Sequence, residues 1–469
     1  MSSRRIRVLL IPDSVYWVLG TIAKAIARYN PWIEATIASG SVIDAMCRRH
    51  PELMHNFDLV HFLCPYTSRE WLPRFCDYVP CVTSHHHVTD WNLVKHNLYG
   101  DAIVVGSSEW AADLRTRGAD MTRVFCVPYG VNADVFLPPT LAERRSIRTK
   151  HGIPETSVVV GFFGKNSSND DDRKGIGAFV EGVLGLHRLI SNLTIVIVGP
   201  GWRELVDRFA AGGIRCIWLP FVRDSRGLAE IYHGLDFYWI TARVEGGPVT
   251  LLEAMSSGVC CVTTPVGLAR DIVRDNVNAI LVPFDDVGAF ISRTAALVRD
   301  AAERQRLARN GRRTILTTMQ ARATSRLVRG VYEKAFANFA SRRQYQARGV
   351  INCDGRLPVV LHDLVLDDTE ELDSAAVPLE GFPARVRRRV RMLEGLAWSE
   401  HLLLYHHELG IASRLIIHEW LSNPFSLEPP RVLLRRFLPA SIVERVVRLK
   451  NGQRSLAHLA KDDPLGKKA

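Results

Sequence analysis

Two glutamates, Glu245 and Glu253, bracket the run Gly246-Gly247-Pro248-Val249-Thr250-Leu251-Leu252. The glycines leave backbone N–H groups unobstructed and the proline is pre-set for a first helical position. The segment therefore reads as a loop opening into a helix N-terminus, a ready site for an anionic, hydroxyl-rich ligand. An ionised carboxylate only accepts hydrogen bonds, so Glu245 in the loop and Glu253 in the second helical turn could each hold hydroxyls, at two separate points. Leu251, Leu252 and Met255 supply the apolar face that anchors such a helix. Upstream, Lys165 and the triplet Arg173-Lys174-Gly175 offer cations for a phosphate-bearing ligand. The triple histidine His85-His86-His87 closes another apolar run, and no second cluster with metal-ligand spacing accompanies it. Asn169-Asp170-Asp171-Asp172 offers the D-x-D spacing of a divalent-metal site, but beside Lys174 it reads as a solvated polar loop. No metal and no cofactor are expected.

These residues need elements to position them. Short β-branched runs alternate with helix-compatible stretches, the mark of βαβ units and parallel sheets. Strands are expected at 7–12, 34–39, 58–64, 80–86, 102–107 and 123–128, then at 158–163, 193–199, 214–220, 235–240, 259–263 and 279–283. Pro138-Pro139 breaks the chain between the two sets. The fold expected is α/β: two doubly wound parallel-sheet domains, 1–140 and 141–337, facing a cleft, with a mainly helical basic extension over 338–469. In such sheets ligands bind beyond the carboxyl ends of the strands, which is where Lys165, His86 and Glu245 fall.

Composition narrows the class. With 469 residues, 47% hydrophobic and 23% charged, the chain has the make-up of a globular protein with two or three cores. No run approaches the ~18 apolar residues of a membrane-spanning helix. The apolar run Val8–Ile11 is cut by Pro12-Asp13, too short for a signal-peptide core, and the expected location is the cytoplasm. The 9 cysteines include no C-x-x-C pair, so neither disulfides nor zinc are implied. A net charge of +11 favours anionic partners: nucleotides, nucleic acid or an acidic membrane face. Within the extension, 361–383 holds only acidic charges, whereas 384–469 is basic. Ile442, Val443, Val446 and Val447 share one helical face flanked by Arg445, Arg448 and Lys450, a pattern suited to packing on the protein itself or to an anionic lipid surface.

With E-G-G-P, the glutamate spacing and L-E-A-M-x-x-G in view, the chain resembles the retaining glycosyltransferases of family 4, which have the GT-B fold. Val127-Pro128-Tyr129-Gly130-Val131-Asn132 with Phe136 resembles that family's interdomain segment, and Phe163-Gly164-Lys165 with Arg173-Lys174-Gly175 its diphosphate-binding pair. The resemblance covers roughly 6–337. It implies a nucleotide diphosphate sugar as donor, Glu245 beside the transferred sugar, Glu253 on the ribose, and Lys165 and Lys174 against the diphosphate. Gly246 and Gly247 would lie at the donor, and a histidine, His86 by count from Pro80, would contact the sugar. It also implies transfer with retention and without a strong general base, to a glycolipid or polysaccharide acceptor. Two departures stand out: Lys165 where arginine is usual, and Asp13-Ser14-Val15-Tyr16 where a glycine pair is usual. The net charge leaves DNA-base glycosylation as a rival acceptor chemistry, and a non-catalytic nucleotide-sugar-binding scaffold as a rival class.

Overall fold

The computed structural model describes residues 5–347, apart from 16, 41, 44–55, 88–89, 167–171, 221 and 223. The rest of the C-terminal extension, with its acidic stretch and its 442–447 face, lies outside the described residues, as does most of the Asn169–Asp172 run. Each strand expected from the sequence is present. In the first half these are β1 (Ile6–Ile11), β2 (Ile33–Ile37), β3 (Leu59–Phe62), β4 (Cys81–His85), β5 (Ala102–Val105) and β6 (Val124–Cys126). In the second they are β7 (Val158–Phe163), β8 (Leu193–Val198), β9 (Arg215–Leu219), β10 (Phe237–Ile240), β11 (Cys260–Thr263) and β12 (Ile280–Leu281).

They form two six-stranded sheets ordered β2-β1-β3-β4-β5-β6 and β12-β11-β10-β7-β8-β9, and every strand pair is parallel. The chain leaves β1 in one direction and resumes at β3 in the other. It does the same at β7 and β10. Between each such pair lies the crevice where doubly wound sheets receive ligands.

Parallel strands are buried on both faces, which accounts for continuous runs such as Leu193-Thr194-Ile195-Val196-Ile197-Val198. In β11 the alternation divides two neighbouring thiols: Cys260 packs into the core on one face and Cys261 into the core on the other. Both behave as small hydrophobes, and every cysteine among the described residues is free. Several helices start on side-chain caps. Asp224 accepts from Gly227 N at 2.7 Å, Asp300 from Glu303 N at 2.9 Å, and Thr140 with Glu143 closes a capping box at the head of helix Leu141–Lys150. No described helix is long and apolar enough to cross a membrane.

One domain limit needs correction. The boundary expected at 337 falls inside helix Val328–Ala347, and that helix belongs to the first sheet. Val328, Val331, Tyr332 and Ala335 are buried in the same core as Val8, Leu10, Val82 and Val104. Tyr332 also hydrogen-bonds buried His61 Nδ1 at 3.0 Å, and Arg342 pairs with Asp101. The chain thus passes between domains twice. The two passes touch: Val131 N donates to Met319 O, and Ala321 N to Val131 O, each at 2.9 Å.

Candidate functional site

The second sheet's crevice is built from two loops zipped together. After β10 the chain runs through Thr241, whose hydroxyl donates to the carbonyl oxygens of Gly175 at 2.8 Å and Lys174 at 3.2 Å. Arg243 N then donates to Arg173 O at 2.9 Å. Gly175 must be glycine: its φ is +63°, and a Cβ would collide with the Thr241 carbonyl. This zip brings residues 71 apart in sequence into one ion cluster. Lys174 Nζ bonds Glu245 Oε1, and Arg173 Nη1 lies 3.5 Å from the same oxygen while also donating to Val244 O at 3.2 Å. Burial alone would push the Glu245 carboxyl up. The cations Lys174 and Arg173, with His87 adding to them, outweigh it and hold the group below the usual carboxylate range. Glu245 is therefore an anion at neutral pH, one wall of a small cavity lined also by Phe162, Lys174, Ile240, Pro248 and Thr250.

Helix Val249–Ser256 follows, with Pro248 one position before it rather than inside it. Its underside, Leu251, Leu252, Ala254 and Met255, is wholly buried. Glu253, in the second turn, is also buried. Burial pushes its carboxyl up to about 8, against a hydrogen bond from the Tyr232 hydroxyl at 2.9 Å that pulls it down. The two glutamates thus stand in opposite states at neutral pH: Glu245 is ionised by its cations, whereas Glu253 is held mostly protonated by its apolar surroundings.

The first domain closes against this loop. A Cβ on Gly246 would lie 2.8 Å from His86 O, and one on Gly247 would lie 2.7 Å from the Tyr129 ring. Bare backbone at both positions is what lets the domains meet. His86 itself faces inward. Its Nε2 donates to Leu63 O at 2.8 Å, which fixes the tautomer, and its Nδ1 accepts from the Tyr129 hydroxyl. Burial lowers its imidazole to about 3, so the ring is neutral. Both ring nitrogens are engaged within the protein, and the histidine acting on the charge of Glu245 is His87.

The other cation singled out from the sequence is Lys165. It follows β7 and lies in electrostatic reach of Asp13, which follows β1 at the opposite switch point. Desolvation raises Asp13 to about 6, while the Ser14 N–H and Lys165 draw it back down. Of the Asn169–Asp172 run only Asp172 is described, and its carboxylate accepts from Gly177 N at 3.2 Å. Among the described residues no group of three His, Cys, Asp or Glu side chains could hold a metal ion.

Of the residues singled out from sequence, the structure brings Lys174, Glu245, Gly246 and Gly247 together, with Glu253 in the helix that follows. Sequence reasoning did not single out Tyr232 or Trp110, whose contacts with Glu253 and Glu245 arise only in the tertiary structure. Tyr129 lay within a quoted segment, but its partner His86 was not legible there.

Residues 157–300 match the family described as Glycosyl transferases group 1. A D-inositol 3-phosphate glycosyltransferase of Xylanimonas cellulosilytica is 32% identical over 224 residues, covering 45% of this chain and 52% of that protein. A phosphatidyl-myo-inositol mannosyltransferase of Mycobacterium leprae is 28% identical over 211 residues, covering 44% and 52%. The chain thus spans about half the length of these curated relatives. The Anabaena protein HepE, solved with UDP and glucose, superposes with a TM-score of 0.59 at 14% identity, over 70% of this chain and 99% of that one. The fold is therefore GT-B, and the likeness to group 1 glycosyl transferases that the motifs carry holds over the second domain.

Proposed function

We propose that this chain transfers a sugar from a nucleotide diphosphate sugar to a hydroxyl of a glycolipid or polysaccharide acceptor, with retention and without a metal. The observation that carries the reading is the meeting of Lys174, Arg173 and Glu245 at the switch point of the second sheet, just ahead of the helix that carries buried Glu253. A ligand with an anionic middle and hydroxyls at both ends fits that charge pattern. Glu253 accepts from the ribose hydroxyls and Glu245 from those of the sugar, while Lys174 and Lys165 offset the charge that grows on the departing diphosphate. The backbone N–H groups of Gly246 and Gly247 add fixed dipoles there. His87, the member of the triple histidine that acts on Glu245, takes the sugar-facing role first assigned to His86. With the proton of the acceptor hydroxyl taken up by the leaving phosphate oxygen, no separate base is required. Contact between Gly246 and His86 excludes water and so limits donor hydrolysis. The relatives named for inositol phosphates and phosphatidylinositol support a polyol or glycolipid acceptor.

The test is thermal stabilisation and donor hydrolysis across UDP-, GDP- and ADP-sugars, beside Glu253→Ala. One nucleotide class should raise the melting temperature of the wild type by mass action and leave the variant unmoved. Stabilisation of neither protein by any nucleotide would refute the reading, and stabilisation of the wild type without donor turnover would favour a non-catalytic nucleotide-sugar-binding scaffold.

A further inference from the structure

Helix Ser108–Thr116 begins directly after β5, in the first domain, and three consecutive residues of its first turn reach the second. Trp110 Nε1 donates to the backbone oxygen of Glu245 at 2.8 Å. Glu109 accepts from Gly267 N at 2.6 Å and lies 3.4 Å from the Arg270 guanidinium. Ser108 N donates to Asp271 Oδ2 at 2.9 Å, and its hydroxyl bonds the other carboxylate oxygen. These contacts are not scattered. Gly267 packs on the Glu245–Gly246 backbone so closely that a Cβ there would lie 2.5 Å from Glu245 O and 2.7 Å from Gly246 O. The Glu245 loop is thus gripped directly by Trp110 and, through the 267–271 strut beneath it, by Glu109 and Ser108. Trp110 is in turn seated in its own domain, edge-on to buried His85 with ring centroids 5.8 Å apart.

We propose that Trp110 and Glu109 are positioning residues that set the backbone of Glu245 from the opposite domain. The Lys174–Glu245 pair lies wholly within the second domain and survives opening, and so does Glu253 with Tyr232. The Glu245 backbone does not keep its anchor: when the domains part, the Trp110 bond breaks and the Gly267 strut loses Glu109 and Ser108 together. Nucleotide binding is therefore independent of closure, whereas placement of the sugar-facing carboxylate is not. This couples the donor-sugar subsite to the approach of the acceptor domain. The kinetic consequence rests on the function proposed above; the clasp itself does not.

Amide hydrogen exchange on the full-length chain tests the clasp without any ligand. Trp110→Phe keeps a ring against His85 but removes the N–H donor. Glu109→Gln removes the partner charge of Arg270 at a side chain that is one-third exposed, so the fold is spared. The hydrogen bond lost in Trp110→Phe, and the charge on Gly267 N and Arg270 lost in Glu109→Gln, should each speed exchange in 244–248 and 267–271 about fivefold, with β7 and β8 unchanged. Unchanged exchange in both variants, or equal acceleration throughout both domains, would overturn the proposal. With a donor identified by the nucleotide panel, kcat should fall about tenfold in Trp110→Phe, while the Kd for the nucleoside diphosphate alone stays within about twofold. Equal losses in both would also overturn it. A wild type that turns over no donor would count against the proposed function, leaving the exchange result to decide the clasp.

Discussion

Replacing Glu253 by glutamine should change how stability depends on pH. The folded protein holds the Glu253 proton up to about 8, against 4.5 for an ordinary glutamate. Between those values the folded state binds more protons than the unfolded one, so stability falls as pH rises. The favourable contribution is complete below pH ~4.5 and is lost as pH climbs through ~8. Over the whole interval it is on the order of 5 kcal/mol, at about 1.4 kcal/mol per pH unit. Glu253→Gln keeps the shape and the oxygen that accepts from Tyr232 but cannot titrate. From pH 6 to 8 the wild type should therefore lose about 2 kcal/mol more than the variant, read from denaturant midpoints of the full chain at fixed ionic strength. Nucleotide affinity should show the converse trend. Ribose hydroxyls donate to the ionised carboxylate, so wild-type affinity should gain about tenfold between pH 6 and 7, beyond whatever change the variant shows. Parallel stability slopes in the two proteins, together with the same pH dependence of nucleotide binding, would refute this account of Glu253.

Two further substitutions probe buried charge. Lys174→Met leaves the Glu245 carboxylate with Arg173 and the smaller effect of His87. Donor turnover should fall by about 100-fold or more in a steady-state assay, because a cation on the leaving group is lost as the sugar-facing carboxylate loses its clamp. Arg148 is 5% exposed; it donates to the carbonyls of Gly234, Glu155 and Ser157 and to Asp236 Oδ2 at 2.8 Å. Arg148→Met should cost about 3–5 kcal/mol by leaving that set short of its main donor. Arg145→Met, which removes an ion pair with Glu155 whose side chains are 69% and 70% exposed, should cost less than about 1 kcal/mol. Thermal denaturation of the two variants side by side measures the contrast.

The sheets were legible because buried parallel strands favour continuous apolar, β-branched runs, and Gly, Pro or Asp soon after most of the runs marks their ends. Glu245, Gly246, Gly247 and Glu253 were legible for a local reason: a loop-to-helix transition fixes their mutual geometry within one short segment. Lys174 was visible as a cation, but its partner lies 71 residues away, and the Thr241 zip that joins them leaves no local signature. Counting along the triple histidine could not separate His86 from His87, because the choice depends on whether Leu63 and Tyr129 wait on the inner side. The boundary at 337 failed for a similar reason. Val328, Val331, Tyr332 and Ala335 mark an apolar helical face, but nothing in that spacing says which of two sheets it covers.

That returning helix governs the order in which the molecule can be made. Among the described residues the second domain's core runs in sequence from about 129 to 319 and takes nothing from the Val328–Ala347 helix, so it can fold before that helix is made. The first domain cannot finish then: its core awaits Val328, Val331, Tyr332 and Ala335, and buried His61 awaits the Tyr332 hydroxyl. Although it begins at the amino terminus, the first domain is the later one to mature, and it exposes an apolar face while the second is synthesised. A fragment ending near 320 would keep that face open and should aggregate, whereas one spanning about 128–319 keeps its own core whole.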